Sequence, residues 1–362
     1  MNIQDKNLFY IGGIVRDEIL KLPSFDIDLT YNGNAIEFVK NLDGIQILQI
    51  NEPFGTVRIK LNDKEIDIAS TRSESYPQKG HLPVIDKIGC SLKEDVLRRD
   101  FTINALAKST LTGEIIDYTG GLKDIDKKVI RILHDNSFID DPTRILRALK
   151  FSVRFGFELD EHTKKLQNNY LSDINYDMSY KRLKKELTET FNLNKWDAYE
   201  RFIRQGIYKL IAPQQFEIPQ YNFSSLIEKF KPENIWIIYV GLLPDISNLP
   251  LTKSEKQIVE NFDKLKKTNL KNDFEIYKTF KNIPPESVIM YSTIDSTVVE
   301  RYFYNLKDID ITINGNDLKN LGIKPSPKYQ QCFDYILKKK ILNPELTVKD
   351  EINIAKEFFK LY

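Results

Sequence analysis

Two aspartates one residue apart, Asp26 and Asp28, offer the clearest chemistry in this sequence. In a strand, side chains two positions apart point to the same side, so both carboxylates would share one face. Unpaired carboxylates this close repel each other unless a cation neutralises them, and clustered oxygen ligands suit Mg²⁺. Asp67 is a candidate third acid from an adjacent strand, and Glu65 is the alternative because it has the same parity. These acids predict phosphoryl transfer assisted by two metal ions.

A glycine turn precedes these acids. Gly12 and Gly13 directly follow the apolar run Leu8–Ile11, and Arg16 and Asp17 come one helical turn later. Glycines at a strand-to-helix turn let backbone N–H groups approach a phosphate, and an arginine can pair with a triphosphate. A plain glycine turn with a surface arginine would explain this motif alone. The acids that follow it favour a nucleotide site.

A second charged segment, Arg-Arg-Asp-Phe-Thr-Ile-Asn-Ala-Leu-Ala, spans residues 98–107. Arg99 is placed to reach a phosphate, while Asp100 and Asn104 would hold neighbouring backbone or sugar groups. The alternative is an amphipathic helix with a charged first turn.

A third segment opens a helix with Asp140-Asp141-Pro142 and continues with two arginines. Asp141, Arg144 and Arg147 recur every three residues, so they can share a face and meet one bound base. Helix capping by aspartate explains one acid, but it does not explain the aligned arginines.

The elements around these motifs change character along the chain. Short β-type runs and turns dominate the first 130 residues, and apolar spacings of three and four dominate after Arg131. Strands are predicted at 8–11, 27–30, 56–59 and 66–69. Helices are predicted at 14–21, 34–42, 93–108, 142–155, 161–170, 179–193 and 195–210. The pattern is typical of an α/β or α+β head followed by helices.

Composition narrows the class of protein. With 362 residues and 41% hydrophobic content, the chain has room for two or three packed units. Cys90 and Cys332 are far apart, which argues against a disulfide framework or a cysteine zinc site. A net charge of +1 argues against a uniformly basic nucleic-acid binder. No stretch resembles a signal peptide or an apolar membrane span, so we expect a cytoplasmic protein.

Taken in order, these motifs resemble the class II tRNA nucleotidyltransferase and bacterial poly(A) polymerase superfamily. The likeness extends over residues 8–190 and includes Asp-Tyr-Thr-Gly-Gly-Leu-Lys-Asp-Ile at 117–125 and Ser-Tyr-Lys-Arg-Leu-Lys-Lys-Glu-Leu at 179–187. Residues 313–327 look like the tail segment of CCA-adding enzymes, which favours tRNA as the RNA partner. The resemblance implies an α+β fold with a polymerase-β-like head at 1–130. A helical neck at 131–192, a body at 193–300 and a tail at 301–362 would follow.

The resemblance also assigns roles to single residues. By it, Asp26 and Asp28 bind the metals, and Asp141 and Arg144 read the base with support from Arg147. The nucleotide would also contact Gly12, Gly13, Arg16, Arg99, Asp100, Asn104 and Lys150, the last standing where relatives usually have arginine. A carboxylate accepts from the amino group of cytosine or adenine, and arginine donates to ring acceptors, so uracil and guanine are excluded without a template.

The implied reaction is attack of a tRNA 3′-hydroxyl on the α-phosphate of CTP and then ATP, with release of pyrophosphate. A CC-adding or A-adding specialist and a poly(A) polymerase remain alternatives, and a non-catalytic RNA-binding protein is a more distant one. Residues 72–93 resemble the flexible loop thought to govern the switch to ATP. The three histidines, His81, His134 and His162, lack the spacing of a phosphohydrolase metal site, so we expect no phosphatase activity.

Overall fold

A computed structural model describes residues 3–24, 27–61, 63–174 and 178–360. It contains two compact units. The first comprises Met1–Glu217 with Leu243–Pro250, and the second comprises Ile218–Leu242 with Leu251–Tyr362. These units do not follow the predicted limits at 130, 192 and 300, so the division into head, neck, body and tail stays a prediction.

The first unit begins with a mixed sheet of seven strands in the order β3-β4-β5-β2-β1-β8-β9. Strands β2 and β5 are parallel, and the other neighbours in this sheet are antiparallel. Two short pairs, β6-β7 and β10-β11, lie outside the sheet. The strands are β1 (Leu8–Ile11), β2 (Ile27–Tyr31), β3 (Gln46–Asn51), β4 (Thr56–Leu61), β5 (Lys64–Ser70), β6 (Arg72–Ser75), β7 (Val84–Ile88), β8 (Leu106–Ser109), β9 (Ile115–Asp117), β10 (Val129–Ile130) and β11 (Glu158–Leu159).

Nine helices complete the described part of the first unit. They are α1 (Gly13–Ile19), α2 (Ala35–Lys40), α3 (Leu92–Leu97), α4 (Gly121–Asp126), α5 (Ser137–Asp140), α6 (Thr143–Phe155), α7 (Glu161–Ser172), α8 (Tyr180–Phe191) and α9 (Trp196–Arg204). The four predicted strands are confirmed, as are the helices predicted at 142–155, 161–170 and 179–193. The helix predicted at 195–210 is shorter than expected, because α9 ends at Arg204 and a separate 3₁₀ turn follows at Ile207–Leu210. The observed α+β arrangement, a sheet followed by helices, confirms the expected fold class.

The sheet has apolar cores on both faces. Leu8, Leu29 and Ile68 pack beneath α2, whereas Phe9 and Ile11 point to the opposite face and join a second cluster with α3 and β8. Alternation along β1 and β2 therefore sends Leu29 into one core and Asp28 to the other side of the same strand.

The prediction of one helix over 93–108 was wrong. Helix α3 ends at Leu97, a single 3₁₀ turn spans Thr102–Asn104, and Leu106–Ser109 forms strand β8 between β1 and β9. Residues Ala105, Leu106 and Ala107 are completely buried. A central strand covered on both faces lacks the alternation of an exposed strand, so its apolar run is readily mistaken for a buried helix.

The second unit is helical throughout its described residues. Its helices are α10 (Ser224–Phe230), α11 (Ile235–Val240), α12 (Lys253–Leu265), α13 (Asp273–Phe280), α14 (Pro285–Tyr291), α15 (Ser296–Arg301), α16 (Gly315–Asn320), α17 (Lys328–Leu342) and α18 (Val348–Phe359). Capping boxes open α12, α16 and α18, so polar side chains satisfy the first N–H groups of these helices. In the described chain, no helix is long and apolar enough to cross a membrane.

Candidate active site

Two adjoining cavities in the first unit collect most of the predicted site residues, although Asp67 lines neither of them. The turn cavity, about 610 Å³, lies beside Gly12 and Gly13 and includes Asp28. The hairpin cavity, about 490 Å³, lies beside the β6-β7 hairpin and includes Asp141 and Arg144. Three residues line both cavities: Arg99, Asp100 and Arg147. The arrangement suits an elongated ligand with a charged group in the turn cavity and a flat, hydrogen-bonding group in the hairpin cavity.

The parallel pairing of β2 with β5 aligns two of the acids. Asp28 is directly opposite Asp67, and both lie on the face away from the α2 core. Asp67 accepts two hydrogen bonds of 2.8 Å from Arg58 on β4, while Glu65 lies 3.9 Å from the same guanidinium. This register brings Asp67, rather than Glu65, beside Asp28.

Asp26, the other acid of the predicted metal pair, lies outside the described residues. Within the described ranges, no three His, Cys, Asp or Glu side chains form a group able to hold a metal. The assignment of Asp26 and Asp28 as metal ligands stays a prediction.

The glycine turn lies against Arg99. Gly12 has a φ of +71°, and a Cβ there would lie 3.0 Å from Nη1 of Arg99, so glycine permits the close approach. The Gly12 N–H donates to the carbonyl of Leu106, which ties the turn to β8. Arg99 donates to Asp95 at 3.2 Å, while its buried Nε has no hydrogen-bond partner. Arg99 is therefore held in place with donor capacity remaining at the turn.

Arg16 has a different environment from the one expected for a triphosphate ligand. It lines the turn cavity, but its guanidinium donates to Asp17 at 2.7 Å and to Asn104. The guanidinium also lies 5.0 Å and 4.5 Å from the rings of Phe151 and Phe155 on α6. Burial lowers the pKa of Arg16. These contacts make Arg16 a link between α1 and α6.

Asp100 is the centre of a buried charge network. It accepts from Asn104 at 3.0 Å and from Arg147 at 2.7 Å. Burial opposes ionisation of Asp100, but the guanidinium of Arg147 and the amide of Asn104 lower its pKa to about 2. Asp100 also accepts from the backbone N–H of Phe101 at 2.8 Å, as expected for a residue that holds neighbouring backbone. In addition, Asp100 orients Arg147 and Asn104 orients Arg16.

The network continues into α8. Arg147 lies 3.4 Å from Glu186, and Lys150 donates to Glu186 at 2.7 Å and to Glu189 at 2.6 Å. Lys150 lines the turn cavity, yet its ammonium is neutralised by these two acids. Arg147 and Lys150 on α6 thus connect the cavity wall to α8.

Asp141 and Arg144, the predicted base readers, both lie in the hairpin cavity and are largely buried. Asp141 accepts from the backbone and hydroxyl of Thr143 and from Arg182 on α8. Arg144 donates to Ser137 at 2.7 Å and to Tyr76 at 3.2 Å. The acid and the arginine are therefore held in fixed orientations by contacts within the protein.

Sequence reasoning missed several residues that orient this site. Asp95, which is completely buried, holds both Arg98 and Arg99, and Glu186 holds Arg147. Asp95 could have been suggested by its spacing of three and four residues from the two arginines. Glu186 lies on α8, a different helix from Arg147, so no local spacing points to it. Such partners are apparent only once the elements are packed.

Comparisons with known proteins agree with this architecture. Residues 8–131 match the Poly A polymerase head domain. An A-adding tRNA nucleotidyltransferase of Halalkalibacterium halodurans is 29% identical, and the match covers 98% of this chain and 89% of that relative. One of the same name from Geobacter sulfurreducens is 31% identical over 96% of this chain, which spans only 44% of that relative's length.

A solved structure has the same fold over nearly the whole chain. The apo form of a CCA-adding enzyme matches with a TM-score of 0.80 and 25% identity, covering 98% of this chain and 92% of the other. The ordered motifs, the head-domain match and this fold lead to one conclusion. In its head domain and its fold, the chain is similar to the class II tRNA nucleotidyltransferase and bacterial poly(A) polymerase superfamily.

Proposed function

We propose that this protein adds C, C and A to the 3′ end of tRNA from CTP and ATP, without a nucleic-acid template. The observation that carries the proposal is the shared wall of the two cavities. Asp28 lies in one cavity and the pair Asp141 and Arg144 in the other, with Arg99 lining both. A nucleoside triphosphate bound across that wall would present its α-phosphate near the acids and its base to the reading pair.

Mg²⁺ is the metal that fits the donor set. Asp28 and Asp67 are aligned on neighbouring strands, and carboxylate oxygens are the ligands that Mg²⁺ prefers. We assign Asp26 and Asp28 as the metal ligands and Asp67 as the third catalytic acid. When bound, two such ions would lower the pKa of the attacking 3′-hydroxyl and stabilise the charge on the departing pyrophosphate. Arg58 donates two hydrogen bonds to Asp67 and neutralises its charge.

Arg99 would bind the phosphates, since it lies at the glycine turn with unused donor capacity. Asp141 would accept from the exocyclic amino group of cytosine or adenine, and Arg144 would donate to the ring acceptor beside it. Uracil and guanine present a carbonyl where the amino group should be. A carboxylate facing a carbonyl oxygen has no proton to share, so these bases are rejected.

The RNA partner would be tRNA, since the relatives described above are tRNA nucleotidyltransferases. Both cysteines are buried free thiols, which agrees with a reducing cytoplasm.

An A-adding specialist is the second candidate. It is favoured by the two relatives described above, both A-adding enzymes. The same reading pair would serve either activity, because cytosine and adenine both carry an amino group at the edge that is read. The two candidates differ in the tRNA end that they accept, so the products distinguish them.

The test offers the purified chain, with Mg²⁺, three tRNAs ending before CCA, after C, and after CC. Each nucleotide is supplied singly and then all together, and products are resolved to one nucleotide. Ordered growth to CCA followed by arrest supports the proposal. Addition of A to the CC end alone selects the A-adding candidate, arrest at CC selects a CC-adding enzyme, and a long adenylate tail selects a poly(A) polymerase. Asp28→Ala is the control variant, which should abolish extension and retain tRNA binding. If the wild-type chain extends none of the tRNAs, the remaining candidate is a non-catalytic RNA-binding protein.

A further inference from the structure

The β6-β7 hairpin forms one wall of the hairpin cavity, which also contains the base-reading pair Asp141 and Arg144. Arg72, Glu74 and Tyr76 alternate with serines, so all three point to one face of β6 and its end, and all three line the hairpin cavity. Arg98 donates to Glu74 at 3.0 Å, which fastens this face of the hairpin to the end of α3. The hairpin is therefore part of the pocket that receives the base.

Tyr76 touches the base-reading arginine directly. Its hydroxyl accepts from Nη2 of Arg144 at 3.2 Å and donates to Glu74 at 3.1 Å. Its ring centroid lies 5.8 Å from Cζ of the same guanidinium. Burial raises the pKa of Tyr76 to about 12, so the phenol keeps its proton and remains a neutral bridge between the arginine and the acid.

The remaining contacts of Arg144 show why this bridge matters. Nη1 donates to Ser137 at 2.7 Å and lies 3.4 Å from Nε2 of His134, and Nη2 donates to the carbonyl of Arg98 at 3.1 Å. Ser137 lies at the start of α5 and Arg98 at the end of α3, so Tyr76 is the contact that comes from the hairpin. A planar guanidinium discriminates between bases only when its orientation is fixed, because a rotated fork can satisfy other acceptor patterns.

The tip of the hairpin is also tied to the reading segment. The N–H of Gly80 donates to the carbonyl of Asp140 at 3.2 Å, next to the reading acid. Arg182, which contacts Asp141, donates to the carbonyl of His81 at 3.1 Å. The position of the hairpin therefore sets the position of Tyr76 relative to the reading pair.

We infer that Tyr76 is a specificity-determining positioning residue, whose hydroxyl orients the guanidinium of Arg144 for base recognition. This inference rests on the proposed nucleotidyltransferase function. Tyr76 lies at the base-reading end of the site and takes no part in phosphoryl transfer, so its loss should affect the choice of nucleotide more than the rate with the correct one.

The decisive variant is Tyr76→Phe, which keeps the ring and removes only the hydroxyl. We measure kcat and KM separately for CTP and UTP, and for ATP and GTP, on tRNA ends that accept them. The preference for the correct nucleotide over its keto counterpart should fall by about tenfold, as expected from the loss of one hydrogen bond to a charged group. KM for the correct nucleotide should rise while kcat stays within about twofold. Tyr304→Phe, at an exposed tyrosine of the second unit, is the matched control and should leave both ratios unchanged.

Two results would overturn the inference: a Tyr76→Phe enzyme with wild-type preference, or one whose kcat/KM falls equally for all four nucleotides. An equal fall in kcat/KM for all four nucleotides would indicate a structural role for Tyr76. If the nucleotide preference is that of the wild type, an unchanged thermal unfolding midpoint confirms that the Tyr76→Phe variant is folded. Absence of extension by the wild-type chain would overturn the proposed function, and this inference with it. The two failures are thus distinguished by the wild-type reaction.

Discussion

Replacing Asp100 by Asn tests the central charge network most directly. Asp100 is 7% exposed, and Arg147, its main partner, has a side chain that is 32% exposed. Removing one partner of a buried ion pair costs about 3–5 kcal/mol. Arg147 retains Glu186 and some solvent, so we expect the free energy of unfolding to fall by about 2–3 kcal/mol at pH 7.

The effect should depend on pH in a defined direction. The folded-state pKa of Asp100, about 2, lies below its ordinary value of 3.8, so its ionisation stabilises the fold above about pH 4. That contribution disappears as the pH falls toward 2. Each tenfold change in the ionisation equilibrium corresponds to about 1.4 kcal/mol, so the difference between wild type and Asp100→Asn should narrow by about 1 kcal/mol at pH 3.

Equilibrium urea unfolding, followed by circular dichroism at pH 7 and pH 3, measures both quantities. Asp63→Asn is the matched control, because the Asp63 side chain is 95% exposed and its loss should change the free energy of unfolding by less than about 0.5 kcal/mol. The reasoning is refuted if Asp100→Asn is as stable as the control at pH 7, or if its deficit is the same at both pH values.

Further substitutions separate local strain, catalysis and packing. Gly12→Ala should raise KM for the nucleotide several-fold, because the added Cβ would lie 3.0 Å from Nη1 of Arg99 and would displace that guanidinium. Gly113→Ala is the control: Gly113 has a similar φ of +75° but no neighbouring atom within 4 Å, so this variant should lose only about 1 kcal/mol of stability. Asp67→Asn should lower the single-turnover rate constant by roughly 100-fold, while Glu65→Gln should change it less than about threefold. Equal effects of the two substitutions would contradict the assignment of Asp67 from the strand register. Lys340→Met should destabilise the second unit by about 3 kcal/mol in thermal unfolding, because the completely buried Glu351 carboxylate on α18 loses its ion-pair partner and keeps only two backbone N–H donors. An unchanged unfolding midpoint would contradict this.

The sequence was sufficient wherever the signal was local. The strand, glycine turn and helix at residues 8–19 follow from neighbouring residues, as does the opening of α6 after Asp141 and Pro142. Caps, turns and helical periodicity depend on only a few neighbouring residues, so they can be recognised from the sequence alone. The order of motifs also indicated the superfamily, and it predicted cavity residues such as Asp28, Arg99 and Arg144. It did not predict the hairpin residues Arg72 and Glu74, and the predicted acid Asp67 lines neither cavity.

Long-range pairing settled what no local pattern contains. Arg16 and Asn104 are 88 residues apart, and their hydrogen bond joins Arg16 to the scaffold. The register of β2 against β5 selects Asp67 over Glu65 as the neighbour of Asp28, although the two acids are equivalent by parity. Side-chain partners depend on which elements pack together, and that packing is a property of the whole chain rather than of any short segment.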